Sequence, residues 1–156
     1  MYFKDNAVKL LSSFFGVGYL PLVPGTFGSL AGVFLFYCAA GSRLIHLWLA
    51  LLMAVLGFLV SGKAERVFNK KDPKFVVIDE VAGMLVSLLF LPFYDPWLVA
   101  IGFLLFRILD TLKPFPAGCL QEIKGSIGIM SDDLVAGLYT NIMLQLIARF
   151  ALLNGS

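Results

Sequence analysis

Charge is what this chain has least of: 12 basic and 10 acidic side chains make up 14% of its 156 residues. Soluble domains carry about a quarter of their residues as charges, so the polar surface needed to cover a water-exposed core is missing. With 60% hydrophobic residues, 15 Phe and a mean hydropathy of +0.91, the composition falls in the membrane class. A net charge of +2, without a basic patch interleaved with exposed aromatics, argues against nucleic acid as a partner. Cysteine is nearly absent. Cys38 and Cys119 fall on opposite faces of the expected bundle, so no disulfide is expected. The N-terminus carries Lys4, Asp5 and Lys9 but no clean apolar core followed by a small-residue site, so no cleavable signal is expected.

What is present is a series of apolar stretches. Residues 1–15 read as an amphipathic entry helix, with Val8, Leu10, Leu11, Phe14 and Phe15 apolar. Gly16 to Ser29 is rich in Gly and Pro and resists regular helix. Apolar helices are expected over about 26–40, 44–62, 76–91, 97–112 and 133–152. Between them lie Gly41-Ser42-Arg43, a polar loop over 63–74, the Pro92–Pro96 turn, and Lys113-Pro-Phe-Pro116 with a mixed segment to 131. The expected fold is all-α: one membrane-embedded domain over 1–156, a polytopic helical bundle of about five apolar helices plus a short N-terminal interfacial helix. Several stretches fall short of the ~20 residues that cross a bilayer untilted. The first, third and fourth are therefore expected to pack partly inside the bundle, with their ends reaching a polar pocket.

Basic residues orient the bundle. Lys4 and Lys9 precede the first apolar helix, Lys63, Arg66, Lys70, Lys71 and Lys74 lie between the second and third, and Lys113 and Lys124 between the fourth and fifth. The intervening turns hold only Arg43, while Arg149 weakly opposes the pattern. The positive-inside rule puts the N-terminus and both basic loops in the cytoplasm. Asp79-Glu80, Asp110, Asp132-Asp133 and the Pro24-Gly25-Thr26 segment then share that face. Carboxylates at membrane depth are expensive, so their convergence implies an ion, a proton path or phosphate chemistry.

Each segment also has a bland reading. Pro24-Gly25-Thr26-Phe27-Gly28-Ser29 is either an ordinary capped helix or an anion-binding helix start, with Thr26 as cap and Gly25 and Gly28 allowing close backbone approach. Asp79-Glu80 either complements a helix N-terminus or faces a cation, and adjacent helical residues diverge so far that only one should point at a given centre. Arg107, Asp110 and Lys113 share one helix side through their spacing of three. They read as a structural pair, or as two phosphate ligands beside a cation ligand. One of Asp132 and Asp133 is expected to be an N-cap, leaving the other for a metal. Glu65, a weaker fourth acid, and Asp72, Asp95 and Glu122 are expected to be solvated. Hard carboxylate oxygens suit Mg²⁺, which uses few protein ligands together with substrate phosphate.

Several chemistries are excluded. His46, the only histidine, lies near the opposite face, so a histidine-nucleophile lipid phosphatase is unsupported. No thiol-phosphatase loop, Asp-x-Asp pair or lipid-headgroup phosphotransferase pattern occurs. In contrast, Gly18-Tyr-Leu-Pro-Leu-Val-Pro-Gly-Thr-Phe-Gly-Ser29, Ile78-Asp-Glu-Val-Ala-Gly83, Phe106-Arg-Ile-Leu-Asp-Thr-Leu-Lys-Pro-Phe-Pro116 and Gly128-Ile-Met-Ser-Asp-Asp-Leu-Val-Ala-Gly137 resemble the signature blocks of the phosphatidylglycerophosphatase A family. They come in that family's order and cover nearly the whole chain.

The resemblance implies a Mg²⁺-dependent, all-helical enzyme of the bacterial inner membrane. It would hydrolyse phosphatidylglycerophosphate to phosphatidylglycerol and phosphate. On this reading Asp79, Glu80, Asp110, Asp132 and Asp133 form the catalytic set, with Asp79, Glu80, Asp110 and Asp133 on the metal. Thr26, Gly28, Ser29, Arg107 and Lys113 bind substrate. Water or an aspartate attacks phosphorus. A small cation transporter using the same carboxylates is the alternative from another class, and a purely structural membrane subunit is a third.

Overall fold

The computed structural model describes residues 2–39, 41–91 and 95–154; Ala40 and the tip of the Pro92–Pro96 turn lie outside the described residues. Seven helices follow in order: α1 Tyr2–Ser12, α2 Pro24–Cys38, α3 Arg43–Phe68, α4 Ile78–Ser87, α5 Pro96–Leu112, α6 Ala117–Gln121 and α7 Ser126–Asn154, with a 3₁₀ turn at Val17–Tyr19. No strand occurs among the described residues, as an all-α reading requires.

The helix lengths depart from expectation. Two helices, α3 and α7, are long and apolar enough to cross a bilayer, rather than about five, and α2 is apolar but only 15 residues long. α3 continues through Lys63–Phe68 because Lys, Ala, Glu and Arg are good helix formers. It stops where Asn69 turns into the left-handed region at φ 50. α7 starts at Ser126, so it absorbs the end of the segment expected to be irregular, and neither Asp132 nor Asp133 is an N-cap. α2 starts at Pro24, with Val23 at its N-cap and no side-chain cap, so Thr26 lies inside the first turn rather than capping it. Large apolar side chains stay exposed along the long helices, including Trp48, Val55 and Leu59 on α3 and Leu138, Ile142 and Leu146 on α7. Such faces need a hydrocarbon or protein partner.

α4 is the buried axis of the bundle. Eight of its ten residues are buried, among them Ile78, Val81, Met84 and Leu85, against α2, α3 and α7. At 1.5 Å per residue it reaches about 15 Å, half a bilayer core. Ending there leaves carbonyls without partners inside the bundle, and polar side chains meet them. Asn141 Nδ2 donates to Ser87 O (3.0 Å) and Leu89 O (2.7 Å), and Gln145 Nε2 donates to Leu89 O (3.1 Å) and Phe90 O (3.0 Å). His46 Nε2 lies 2.9 Å from Leu85 O, with its ring edge-on to Phe36. Asn141 and Gln145 of α7 therefore close the end of α4 and the turn after it from a neighbouring helix. Asn141→Leu should cost about 1–3 kcal/mol by orphaning a buried acceptor. An unchanged thermal midpoint in detergent would contradict this capping role.

Glycines set how closely the axis is approached. A Cβ on Gly28 would lie 2.9 Å from Val77 Cβ, and one on Gly32 would lie 2.7 Å from Met84 Cβ, so α2 lies directly on α4. On the other side Gly137 sits on the backbone of Gly83, where an added Cβ would be 3.1 Å from Gly83 C. A Cβ on Gly83 would in turn meet Asp133 O at 2.7 Å and the Phe106 ring at 2.8 Å. Small residues at helix crossings permit this approach in membrane-type packing.

Candidate active site

The crossing explains the site. Asp79 lies four residues before Gly83, Asp133 four before Gly137, and Asp110 four after Phe106. Four residues are about one helical turn, so each acid stands one turn from the same tight junction, on the same side of its helix. The ends of α2, α4, α5 and α7 meet there around a cavity of about 320 Å³. Pro24, Gly25, Asp79, Glu80, Arg107, Asp110, Lys113, Asp132 and Asp133 all line it.

Within it, Asp79, Glu80 and Asp133 each offer a carboxylate oxygen, and these oxygens all lie within 4.8 Å of one another. Both members of the Asp79-Glu80 doublet therefore face one centre, contrary to the expectation that only one would. Glu80 has the longer side chain to swing round, while its N–H donates to Asp79 Oδ1 at 3.1 Å. Asp79 is 6% exposed and Asp133 3%. Glu80 Oε2 is buried with no hydrogen-bond partner, as is Asp132 Oδ1. Burial, then the neighbouring charge of Glu80, pushes the Asp79 carboxyl well above its ordinary value. Crowded hard oxygens, one without a partner, fit a bound metal ion.

Two cations line the same cavity, each held by an acid. Arg107 Nη1 contacts Asp110 Oδ2 at 2.9 Å and lies 3.5 Å from Ser29 Oγ. Lys113, in the left-handed cap position at φ 46, points its ammonium at Asp132 Oδ2. Burial lowers the Lys113 pKa, but the Asp132 bond outweighs it and the net shift is upward, so Lys113 stays a cation. Asp110, held by Arg107, lines the same cavity but is not one of the three carboxylates whose oxygens crowd together. Asp132 belongs with Lys113 rather than with the carboxylate trio.

Other expected residues lie elsewhere. Thr26, Gly28 and Ser29 are not among the cavity-lining residues. Ser29 is fully buried, donates to Gly25 O at 3.0 Å and accepts from Arg107. Gly28 serves the α2–α4 contact, and Gly25 is the α2 glycine that faces the cavity, 3.4 Å from Arg107 by its added Cβ. Asp72 and Lys74, missed by the sequence reading, line the rim. The one sequence signal for them was a polar loop ending just before the acidic doublet. Glu65 is a brace: its carboxylate accepts from Asp72 N (3.2 Å) and Gly125 N (2.9 Å), tying the rim loop to the start of α7.

A carboxylate trio that could hold a metal ion, beside two acid-held cations in one cavity of an apolar helical bundle, suits chemistry on an anionic group. Comparison with known proteins makes this specific. The profile of the Phosphatidylglycerophosphatase A family matches residues 10–148. Phosphatidylglycerophosphatase A of Escherichia coli K12 is 35% identical over 147 residues, covering 93% of this chain and 86% of the relative. The Haemophilus influenzae protein of that name is 34% identical over 143 residues, covering 88% and 86%. A Bacteroides thetaiotaomicron protein with a provisional phosphatidylinositol-3-phosphatase assignment is 34% identical over 153 residues, covering 92% and 94%. No solved structure matches the chain. The chain belongs to the phosphatidylglycerophosphatase A family.

Proposed function

We propose that this phosphoric monoester hydrolase removes the terminal phosphate of phosphatidylglycerophosphate with the help of Mg²⁺ held by Asp79, Glu80 and Asp133, with Asp110 beside them. The observation that carries the reading is the carboxylate trio with the unpartnered Glu80 Oε2, lining with Arg107 and Lys113 one cavity large enough for a phosphoryl group. When bound, the ion neutralises phosphoryl charge and acidifies water.

The chain's own residues do the rest. Arg107 donates to phosphoryl oxygens as a planar fork, and Lys113 adds a point charge. Asp110 and Asp132 hold these two cations in position before substrate arrives, so little reorganisation is left for the reaction. The carboxylates sit in the buried depth of the cavity while its rim is open, so water reaches the site and is the attacking group.

The finer membrane reading belongs here too. α3 and α7 span, and the shorter helices insert beside them, in a multi-pass bundle of the bacterial inner membrane. The basic loops put the cavity at the cytoplasmic face. A lipid then keeps its acyl chains in the bilayer and offers its phosphate to the cavity. The small cation transporter alternative calls for acids near mid-membrane and gating on both faces, whereas Asp79, Glu80, Asp110 and Asp133 line one cavity.

The Bacteroides relative supports a second substrate, phosphatidylinositol 3-phosphate, which also carries a monoester separated from a diester by a polyol. Phosphate release in nonionic mixed micelles tests both. Phosphatidylglycerophosphate should be cleaved faster, release should stop in EDTA and return with Mg²⁺, and a chiral phosphorothioate should invert. EDTA-insensitive release defeats the metal assignment, faster inositol-lipid cleavage defeats the substrate, and retention defeats direct water attack.

A further inference from the structure

We propose that a second cavity, adjoining the carboxylate site, is an anion subsite that takes the phosphodiester of the lipid while the monoester occupies the carboxylate cavity. This deepens the phosphatase reading and rests on it. The second cavity measures about 390 Å³ and shares Leu22, Pro24, Pro73 and Lys74 with the first, so the two are continuous at that rim. Its remaining lining combines aromatic walls with one more cation, Lys70.

The walls are fixed. Phe75 packs between Tyr19 and Phe68, with ring centroids at 5.1 and 5.6 Å. Gly18 lies so close to the Phe75 backbone that an added Cβ would stand 2.9 Å from Phe75 C, which locks the 3₁₀ turn against the rim loop. The Glu65 bond to Asp72 N holds the other end of that loop. Leu22, 95% exposed, projects from the shared rim as an apolar lip.

Charge decides what this space suits. In the first cavity both inner cations are paired, Arg107 with Asp110 and Lys113 with Asp132. Lys70 and Lys74 are in no ion pair among the described residues, which leaves them as the unpaired cations of the two linings. A phosphodiester is a monoanion with two non-bridging oxygens, joined to the monoester through glycerol and to the acyl chains through a second glycerol. Lysine ammonium groups suit it as point charges. The aromatic wall and Leu22 suit the glycerol and acyl side.

The test is the double variant Lys70→Gln/Lys74→Gln, assayed on phosphatidylglycerophosphate in nonionic micelles with Mg²⁺, with inorganic phosphate as a competing probe. Both lysines are exposed, so the fold should be untouched. KM should rise about tenfold, since two partly exposed charge contacts of up to ~1 kcal/mol each are removed. Turnover number should stay within about twofold, and the inhibition constant of inorganic phosphate should rise far less than KM, because only Lys74 of the two lines the carboxylate cavity. An unchanged KM, or equal weakening of lipid and inorganic phosphate, overturns the subsite. So does a KM effect seen only when the micelles are doped with another anionic lipid, which would make the lysines a surface-attraction patch. A parent protein that releases no phosphate sinks the phosphatase reading itself, and the subsite's ligand with it. Parent activity with an unmoved variant KM sinks the subsite alone.

Discussion

Asp79→Asn and Asp133→Asn should each lower phosphate release by about 10³-fold or more, the scale expected when a preorganised charge at the reacting group is lost. Each substitution preserves shape and removes one of the three oxygens that meet within 4.8 Å. Stability should move the other way. In EDTA the buried carboxylates repel one another, and Asp79 is raised by burial and then by Glu80. A carboxyl raised in the fold opposes folding once ionised, so the metal-free protein should lose stability as pH climbs from the ordinary carboxylate range toward the raised value. Asp79→Asn should remove that loss, giving a higher thermal midpoint than the parent in EDTA at neutral pH. In Mg²⁺ the order should reverse, because only the parent gains the full binding energy of the ion. Near-normal turnover in both variants, or a midpoint in EDTA below that of the parent, would sink the metal-site assignment.

Gly137→Val should abolish activity without touching any residue of the cavity lining. Its side chain would be driven into the backbone of Gly83, where even a Cβ stands 3.1 Å from the carbonyl carbon. The helices must separate, at a cost of about 1–3 kcal/mol for overpacking. A shift on the order of 1 Å at a catalytic constellation costs about 10²-fold, and here Asp79 and Asp133 move apart together. Mg²⁺ affinity and turnover should fall together, while circular dichroism stays helical. Parent-like Mg²⁺ dependence in this variant would show that the Gly83–Gly137 junction does not set the carboxylate spacing.

Two kinds of residue separate what was legible from what was not. Asp79, Glu80, Asp110 and Asp133 were readable as a converging set because each borders an apolar stretch on the side of the basic loops, a pattern local to each segment, although Asp133 proves to lie about two turns inside α7. Which of them share one centre was not readable. The adjacency of Asp79 and Glu80 argued against both facing it, yet both do. Asp132 shows the reverse: its neighbour in sequence is Asp133, but its partner is Lys113 from another helix. Asp72 and Glu65 were read as solvated because nothing in their neighbours distinguishes a rim loop from any polar loop.

The same division runs through the helices. Hydropathy and the placement of Lys and Arg are one-dimensional properties, so the chain alone determined its apolar stretches, the gathering of its acids toward one side and, through its motif blocks, its family. The lengths of α4 and α7 depend on contacts that hydropathy does not carry. α4 stops after Ser87, where Asn141, more than fifty residues away, donates to the Ser87 carbonyl and, with Gln145, to the carbonyls of the turn that follows. The site closes because Gly83 and Gly137, equally remote in sequence, let two backbones touch. Only the tertiary structure could decide that, since a glycine announces room for an approach but not which helix arrives.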